Sequence, residues 1–462
     1  MKKLLSIVLV ITLVCSILLS SCGSNEQNSN VSKVDPNFEI LAMPDDVSVG
    51  LDYELEADGD GYALVGRGTF DGDVLVIPSN YDGKPVTSVA QNAFQFDDKL
   101  ASVYIPDTVT IIGEDAFSYC DNLTIARIGT GVTFISQFAF ANTAIERIVL
   151  PDSVEFVDYT AFWYCKSLHT IVLGHGITQL GGNYETDSEG NIVTTRFDGF
   201  TDFLGCSSLV KILVDESHPV YKTIDGNIFS KDGKTIVKYA MGNDGTEYLL
   251  DSSVSTIGRG AFCGANNLLY FTIPDTIITV SEFAFSDCNS LISVDIGASV
   301  SYIGQYAFDA CPALENIHVS PYNQYYFHEE ECLYSRNGVL MHYSVASSKT
   351  EFATLMDIEV IDFSAFRYAV NLKSIHVASG VKKIQPQAFM GCTNLERIVI
   401  SDTVEYIGFF AFNGCDNLEV IEFEGTVEQW NNIQKDTSWN YGISGVVVEC
   451  TDGLVKIGRA HV

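Results

Sequence analysis

The chain has 462 residues and a formal net charge of −33, because it contains 26 Lys and Arg residues and 59 Asp and Glu residues. So acidic a chain argues against a nucleic-acid partner, since binding phosphates requires clustered cations. Hydrophobic residues make up 47% and charged residues only 18%. This composition excludes a disordered acidic chain and predicts a large core.

The amino terminus has the pattern of an export signal. A positive segment, Met1–Lys3, precedes an apolar stretch of 16 residues, Leu4–Leu19, which is shorter than the roughly 20 residues of a permanent membrane span. The following Ser-Ser-Cys, ending at Cys22, resembles the lipobox of bacterial lipoproteins. That resemblance implies removal of the signal peptide, residues 1–21, and a diacylglyceryl group on Cys22. The alternative is an ordinary secretory signal followed by an incidental cysteine.

The segment after the lipobox is polar, and the segment after that has the pattern of strands. Residues 22–36 are rich in Ser, Asn and Gln and are predicted to form a flexible tether. Residues 37–85 are predicted to form an N-terminal β cap, which a repeat array needs to cover its first coil.

An internal repeat of about 23 residues fills most of the chain. Its fullest form is V-x-x-I-G-x-x-A-F-x-x-C-x-x-L-x-x-I-x-I-P, and a degenerate copy surrounds Phe203. The Ala-Phe pair recurs at 93–94, 116–117, 139–140, 161–162, 261–262, 284–285, 307–308, 365–366, 388–389 and 411–412.

Each part of the repeat predicts one part of a coil. L-x-x-I-x-I is typical of a short strand whose alternate side chains face inward, so that Ile398 and Ile400 are buried and Val399 faces out. V-x-x-I-G predicts a second extended segment that ends in a turn, and A-F-x-x-C predicts a tight or 3₁₀ turn. One coil cannot bury its own core, so the coils are expected to stack.

These motifs resemble the Treponema-type leucine-rich repeats of BspA-like bacterial surface proteins. The resemblance implies a mostly β fold: a curved leucine-rich-repeat solenoid with parallel strands, short 3₁₀ turns and two β-hairpin islands. The predicted organisation is as follows: first repeat block 86–214 with an insertion at 175–202; first island 215–250; second repeat block 251–319; second island 320–357; third repeat block 358–423; C-terminal cap 424–456.

The last six residues, 457–462, match the translation of a common sequencing-library adapter. We interpret them as an artefact at the end of the gene, so the native chain is expected to differ there. Native codons that encode these residues in the resequenced locus would contradict this interpretation.

The cysteines are predicted to be structural. Seven occupy one column of the repeat, at Cys120, Cys165, Cys206, Cys288, Cys311, Cys392 and Cys415. Other repeats have small residues in that column, so buried free thiols are favoured. Disulfides between adjacent coils, such as Cys288–Cys311 and Cys392–Cys415, remain an alternative, because exported proteins can form them.

No motif in the sequence indicates catalysis. Metalloprotease, nucleophile-elbow, P-loop and dinucleotide-binding patterns are missing from the sequence, and no C-x-x-C pair indicates zinc. We therefore predict no catalytic residue, no metal site and no cofactor beyond the lipid on Cys22.

The outward positions of the long strands are the predicted binding face. Basic residues stand out in so acidic a chain, and apolar residues lie beside them, a composition common in protein interfaces. An ordinary mixed sheet surface is the alternative. The predicted binding residues are Tyr104, Ile125, Arg127, Arg147, Val149, Val172, Lys211, Leu213, Tyr270 and Arg397.

The function predicted from these observations is non-catalytic binding at the bacterial surface, as adhesion or protein–protein interaction. The family resemblance implies host or microbial surface proteins or glycans as partners. The lipid would anchor the chain to the outer face of the cytoplasmic membrane, or to the outer membrane in a Gram-negative source. A surface lipoprotein that captures peptide or glycan nutrients is the alternative, and a deep pocket in 175–202 or 320–357 would favour it.

Overall fold

The structure is a computed structural model that describes residues 41–158, 160–180, 183–186, 192–196, 203–443 and 445–457. The predicted signal peptide, Cys22, the tether and the last five residues lie outside the described part. Almost all regular structure in that part is β: it has 37 strands and one short helix.

The strands as far as the first island are β1 (Asp52–Leu55), β2 (Tyr62–Gly66), β3 (Val74–Val76), β4 (Asn80–Tyr81), β5 (Lys84–Val89), β6 (Ser102–Tyr104), β7 (Ile111–Ile112), β8 (Ile125–Arg127), β9 (Phe134–Ile135), β10 (Arg147–Val149), β11 (Phe156–Val157), β12 (Thr170–Leu173), β13 (Asn183–Thr186), β14 (Ile192–Arg196) and β15 (Lys211–Val214). Those of the first island and second block are β16 (Tyr221–Ile224), β17 (Asn227–Ser230), β18 (Thr235–Lys238), β19 (Thr256–Ile257), β20 (Tyr270–Ile273), β21 (Thr279–Val280), β22 (Ser293–Ile296), β23 (Tyr302–Ile303) and β24 (Asn316–Val319).

The remaining strands are β25 (Tyr326–Glu329), β26 (Cys332–Ser335), β27 (Val339–Tyr343), β28 (Glu351–Ala353), β29 (Val360–Ile361), β30 (Ser374–Val377), β31 (Lys383–Ile384), β32 (Arg397–Ile400), β33 (Tyr406–Ile407), β34 (Val420–Phe423), β35 (Gln434–Lys435), β36 (Val447–Cys450) and β37 (Gly453–Lys456). The helix α1 (Val427–Asn432) lies between β34 and β35.

Two kinds of parallel sheet run along each repeat block. The two-residue strands of V-x-x-I-G form a short-strand sheet, for example β7-β9-β11, which follows the longer β5. The strands of L-x-x-I-x-I form a long-strand sheet, β3-β6-β8-β10-β12-β15 in the first block. The second block has β20-β22-β24 and the third has β28-β30-β32-β34-β36 as its long-strand sheet. This is the predicted solenoid of stacked coils with parallel strands.

The alternation predicted within the long strands is present. Ile398 and Ile400 are buried, and Val399 between them is partly exposed. The phenylalanine of each Ala-Phe pair fills the interior, where neighbouring rings stack at 5.3–5.7 Å between Phe94, Phe117, Phe140 and Phe162. Burial of these rings against one another is a stabilising contribution that a single coil could not supply.

The corner around Ala-Phe is a series of tight turns. In one coil, Ala116 and Ser118 donate to the carbonyl groups three residues before them, while the N–H groups of Asp115, Phe117 and Tyr119 donate to the next coil at 2.8–3.0 Å. Asp115 and Tyr119 have φ of 54° and 57°, in the left-handed region. These left-handed residues separate the turns, so the corner is a ladder of turns and no continuous 3₁₀ helix forms there.

Both islands are antiparallel meanders that end as an ordinary coil. In the first, β16, β17 and β18 pair antiparallel, and β18 then pairs in parallel with β19. In the second, β25, β26 and β27 do the same, and β27 pairs with β29. Tyr239 and Tyr343 take the phenylalanine position of the corner, and each donates its N–H to the next coil at 2.8 Å.

The hydrophobic interior divides into three clusters. They run from Leu51 to Met241, from Phe229 to Leu333, and from Cys332 to Val448. The boundaries fall at the two islands, where the parallel sheets are interrupted. Each repeat block therefore packs largely around its own core.

The cysteine column forms a second ladder inside the solenoid. Each of its seven thiols donates to the carbonyl oxygen of the phenylalanine in the preceding coil, at 3.0–3.1 Å. All ten cysteines in the described residues are free, and only Cys450 is partly exposed.

The C-terminal end of the array carries a capped helix. The Thr426 side chain accepts from the N–H of Gln429, and the Gln429 side chain accepts from the N–H of Thr426, which is a capping box. Trp430 of α1 is buried against Phe423 and Trp439. The helix thus covers apolar surface of the last coil.

Candidate binding face

The long-strand sheet aligns the predicted binding residues of the first block. Ile125 pairs with Arg147, and Val149 pairs with Val172, while Lys211 and Leu213 follow on the next strand. Because these pairs are in register, side chains that lie 22 or more residues apart in the chain form two adjacent columns on one surface.

Exposure differs along these columns. Ile125, Arg147 and Lys211 are exposed, whereas Val149 and Leu213 are half-buried. Val172 and Tyr104 are half-buried as well. The resulting patch has an apolar column, Val149, Val172 and Leu213, beside a column that carries Ile125 and two basic residues, Arg147 and Lys211.

Arg127 requires a correction, because it is not exposed. Only 8% of its surface is accessible, and its guanidinium donates to the carbonyl oxygens of Leu41 and Ile105, at 2.9 and 2.6 Å, and to Asp107 at 3.0 Å. The pKa of Asp107 is lowered, most strongly by the hydrogen bond from the N–H of Thr130 and then by the ion pair with Arg127. Arg127 is thus a structural residue that fixes the segment at Leu41.

The segment before β1 also covers one edge of this sheet. The N–H of Ser48 donates to the carbonyl of Val76 at 2.9 Å, and the Ser48 hydroxyl accepts from the N–H of Val76 at 2.9 Å. Together with the contact between Arg127 and Leu41, these bonds occupy the amino-terminal end of the face. The open part of the first block therefore runs from Ile125 to Leu213.

Tyr270 and Arg397 lie on other sheets and do not join this patch. Tyr270 begins β20 in the second block and is 45% exposed. Arg397 begins β32 in the third block, where it forms an ion pair with Glu422 on the neighbouring strand. The face of the third block also carries His376, whose Nε2 lies 3.5 Å from Glu424.

The second block has a groove on its long-strand face. A cavity of about 430 Å³ is lined by Thr272, Asp295 and His318, which pair across β20, β22 and β24, and by the loops that follow these strands. His318 lies against His328 of the second island, with 5.3 Å between ring centroids. The outward column that is apolar at Val149, Val172 and Leu213 in the first block is polar here.

A histidine cluster that the sequence did not reveal joins the first block to the first island. His175 Nδ1 lies 2.8 Å from Asp152 Oδ1, and its Nε2 lies 2.8 Å from Ser217 Oγ. The order Asp–His–Ser matches a hydrolytic triad, but the Ser217 hydroxyl donates to Asp215 at 2.6 Å. That contact is shorter and charge-assisted, so Ser217 is held by Asp215 and is not activated by His175.

The 23-residue spacing of the repeat could have identified the contact between Asp152 and His175, but not Ser217. An aspartate after the Pro or Gly that ends a long strand accepts the N–H of the residue 23 positions later, in three coils: Asp107 from Thr130, Asp152 from His175 and Asp275 from Ala298. Hydrogen bonds from the backbone and then the ring of His175 lower the pKa of Asp152. Ser217 lies in an island, outside the repeat, and no spacing points to it.

A buried polar cluster joins the second block, the second island and the third block through Asp309, His342 and Arg367. Asp309 and Arg367 form an ion pair at 2.5 Å. Burial raises the pKa of Asp309 to about 6 and lowers the pKa of nearby His342 to about 4. The adjoining cavity of about 20 Å³ has room for about one water molecule, so the cluster is too enclosed for a substrate.

In the described part of the chain, no group of three or more His, Cys, Asp or Glu is placed to hold a metal ion. No helix between residues 41 and 457, masked positions apart, is long and apolar enough to cross a membrane.

Comparison with known proteins gives a family match and several structural neighbours. The model of the BspA type leucine rich repeat region matches in six copies, over residues 87–198, 234–356 and 340–437. No curated protein sequence matches this chain.

The structural neighbours include three bacterial leucine-rich-repeat proteins. A leucine-rich cell surface protein from Faecalibacterium prausnitzii is 23% identical, with 85% of this chain and 97% of that chain covered and a TM-score of 0.38. A leucine-rich repeat protein from Eubacterium ventriosum is 18% identical, with 81% and 88% covered and a TM-score of 0.45. One from Bacteroides ovatus is 21% identical, with 88% and 100% covered and a TM-score of 0.39.

Proposed function

This chain belongs to the family of proteins with BspA-type leucine-rich-repeat regions, and from that membership we propose that it is a non-catalytic binding protein of the bacterial cell surface. Proteins of this family are typically found at the cell surface and are generally binding proteins without enzymatic activity. The proposed activity is adhesion or protein–protein interaction through the long-strand face.

The observation that carries this proposal is the patch on the first block. Val149, Val172 and Leu213 form one apolar column, and the column beside it carries Ile125, Arg147 and Lys211. Apolar surface with arginine beside it is typical of a protein interface. Two cations at one place on a chain of net charge −33 also favour a partner with acidic groups at matching positions.

Surface display is proposed to depend on Cys22. The lipobox pattern supports a diacylglyceryl anchor on this residue, followed by the polar tether of residues 22–36. Expression of the chain in a bacterial host with a labelled fatty acid should give a labelled, membrane-bound protein. The variant Cys22→Ser should remain unlabelled, and label on that variant would contradict the assignment.

A binding assay with charge reversals tests the patch. The purified chain is applied to immobilised matrix proteins, mucins and bacterial surface proteins. The double variant Arg147→Glu/Lys211→Glu should lose saturable binding, because it places two carboxylates in the patch.

The matched control carries the same change of charge on other surfaces. Lys166 lies at the turn corner and Lys383 on a short strand, and both are exposed. Lys166→Glu/Lys383→Glu should bind as the unaltered chain does. Equal loss in both double variants would indicate a general charge effect and would contradict a binding site at the patch.

A further inference from the structure

The groove on the second block has the dimensions and the lining of a small-ligand site. Its volume of about 430 Å³ falls within the range of roughly 300–1,000 Å³ found for ligand pockets. Its floor is the row Thr272, Asp295 and His318, fixed by the parallel pairing of three strands. A site built on strands holds its side chains in fixed positions.

The polar groups of this floor are available to a ligand. The side chains of Thr272 and Asp295 make no hydrogen bond or ion pair with any residue in the described part of the chain, and both are exposed. The hydroxyl of Ser320, at the rim, accepts one weak bond from the N–H of Tyr322 at 3.4 Å and still has its own hydrogen to donate. The site thus offers two hydroxyl groups that can donate or accept and one carboxylate that accepts.

The walls of the groove are held in place by other hydrogen bonds. Asp275 accepts from the N–H of Ala298 at 2.6 Å, and the Asn323 side chain donates to the carbonyl oxygens of Gly297 and Val300 at 2.8 and 3.0 Å. Because these bonds join the loops of successive coils, the groove is formed before any ligand binds.

An aromatic ring lies at one end of the same face. Tyr270 precedes Thr272 by two residues on β20, so both side chains point to the same side of the sheet. Tyr270 is 45% exposed, and its row continues with Ser293 and Asn316 on the neighbouring strands. An exposed ring next to hydroxyl, amide and carboxylate groups can pack against the C–H face of a sugar while the polar groups bind its hydroxyls.

The charge of the groove selects among sugars. Asp275 and Asp295 place two carboxylates at the site, and the whole chain carries −33. An anionic sugar would be repelled at close range. A neutral ligand with many hydroxyls is compatible with every polar group that lines the groove.

We propose that this groove binds a short neutral oligosaccharide. Asp295 accepts hydrogen bonds from its hydroxyls, Thr272 and His318 bind on either side, and Tyr270 packs against one ring. The site is separate from the apolar and basic patch on the first block, and the two ligands do not depend on each other.

Ligand-observed NMR and calorimetry with four probes test the proposal. Maltotriose, cellotriose and N,N′-diacetylchitobiose represent neutral sugars, and trigalacturonate represents an anionic one. We expect saturable binding of at least one neutral probe to the full chain in detergent and none of trigalacturonate. No saturable binding of any neutral probe, or a preference for trigalacturonate, would overturn the proposal.

Three variants locate the site. Asp295→Asn and Tyr270→Ala should each weaken binding by about tenfold, the effect of losing one charge-assisted hydrogen bond or one ring contact. Tyr302→Ala is the matched control, because Tyr302 is equally exposed, at 47%, on the short-strand sheet of the same block. Its binding should be unchanged.

The same measurements separate this site from the protein-binding patch. Arg147→Glu/Lys211→Glu should keep its affinity for the neutral probe, because those residues lie on another sheet. Thermal unfolding of each variant confirms that it is folded. Unchanged sugar binding in both folded Asp295→Asn and folded Tyr270→Ala would place the sugar elsewhere and overturn the assignment.

Discussion

The cysteine column shows how far a single position can be predicted from sequence. Small residues replace cysteine in some repeats, and this variation correctly indicates buried, unpaired thiols. The hydrogen bond from each thiol to the preceding phenylalanine carbonyl could not be predicted, because it depends on the exact rise from one coil to the next. The column therefore contributes a polar ladder within an apolar core.

Thiol reactivity is the first prediction at this scale. Burial raises the pKa of Cys120 to about 12, and a thiol with so high a pKa has almost no reactive thiolate at neutral pH. Because the other nine described cysteines are buried, iodoacetamide should modify only Cys450 in the folded chain, as read by peptide mass spectrometry. All ten should react after denaturation, and modification of a column cysteine in the folded chain would contradict this.

Asp309 gives a second prediction, on the pH dependence of stability. Its pKa is raised to about 6, mainly by burial, although Arg367 acts in the opposite direction. Since the folded chain binds this proton more tightly than the unfolded chain, the contribution is fully present below about pH 4 and is lost as pH rises through 6. Two pKa units correspond to about 3 kcal/mol.

The measurement compares Asp309→Asn with the unaltered chain in urea at pH 4 and pH 7. The difference in free energy of unfolding should shift by about 3 kcal/mol in favour of the variant between these pH values. Asp402→Asn, at an exposed position, is the control and should show no such shift. A difference that is constant with pH would contradict the buried, titrating Asp309.

In each island, a side chain accepts a hydrogen bond from the last long strand of the preceding block, but the residue type differs between the two islands. Each must satisfy a backbone N–H on the last long strand of the preceding block, where the sheet ends. In the first island the Thr223 hydroxyl accepts from the N–H of Val214 at 3.0 Å, and in the second His328 Nδ1 accepts from the N–H of Val319 at 3.2 Å. Thr223 and His328 occupy the same position, third in β16 and in β25.

His328 makes the second junction sensitive to acid. Burial, and then the neighbouring His318, lower the pKa of His328, and its Nδ1 can accept from Val319 only while the ring is neutral. Because the pKa is lower in the folded chain, the contribution to stability is present above the usual pKa of about 6.5 and is lost as pH falls below it.

His328→Thr copies the first island and should remove this sensitivity. The unaltered chain should show faster hydrogen exchange at the Val319 amide, after correction for intrinsic rates, and a lower Tm at pH 5 than at pH 7.5. His328→Thr should show a smaller change in both. An equal change in the two proteins would contradict the role of His328 as the acceptor of the Val319 N–H.

The register of the strands could be predicted from the sequence, but the burial of Arg127 beneath the segment at Leu41 could not. Equal spacing of the repeats aligns Ile125 with Arg147 and Val149 with Val172, as the structure shows. The burial of Arg127 comes from a backbone carbonyl 86 residues away, at Leu41. A carbonyl group is present at every residue, so no sequence pattern could have identified this one.

The division of the interior into three clusters predicts how the whole molecule unfolds. Coils within a block share a continuous stack of rings, whereas the islands interrupt the parallel sheets. In such an array stability is largely a sum of local units and their interfaces. The blocks are therefore expected to respond separately to a local defect.

Phe285→Ala tests this at the centre of the second block. The ring is fully buried and stacks on Phe262 and Phe308 at 5.1 and 5.6 Å, and its loss should cost about 3–5 kcal/mol. Hydrogen exchange should accelerate mainly in residues 251–319. Phe117→Ala, the matched control, should affect mainly the first block, and equal acceleration everywhere would indicate one cooperative unit.

The direction of the corner hydrogen bonds gives the array an electrical polarity. Within each block these N–H groups point to the following coil, as from Phe94 to Ala116 and from Phe389 to Ala411. The peptide dipoles therefore add, with the positive pole at the C-terminal end, the reverse of an α-helix. The first coil offers carbonyl acceptors and the last offers amide donors, so two such arrays could join their corner ladders only head to tail, and each terminal cap must satisfy a different kind of group.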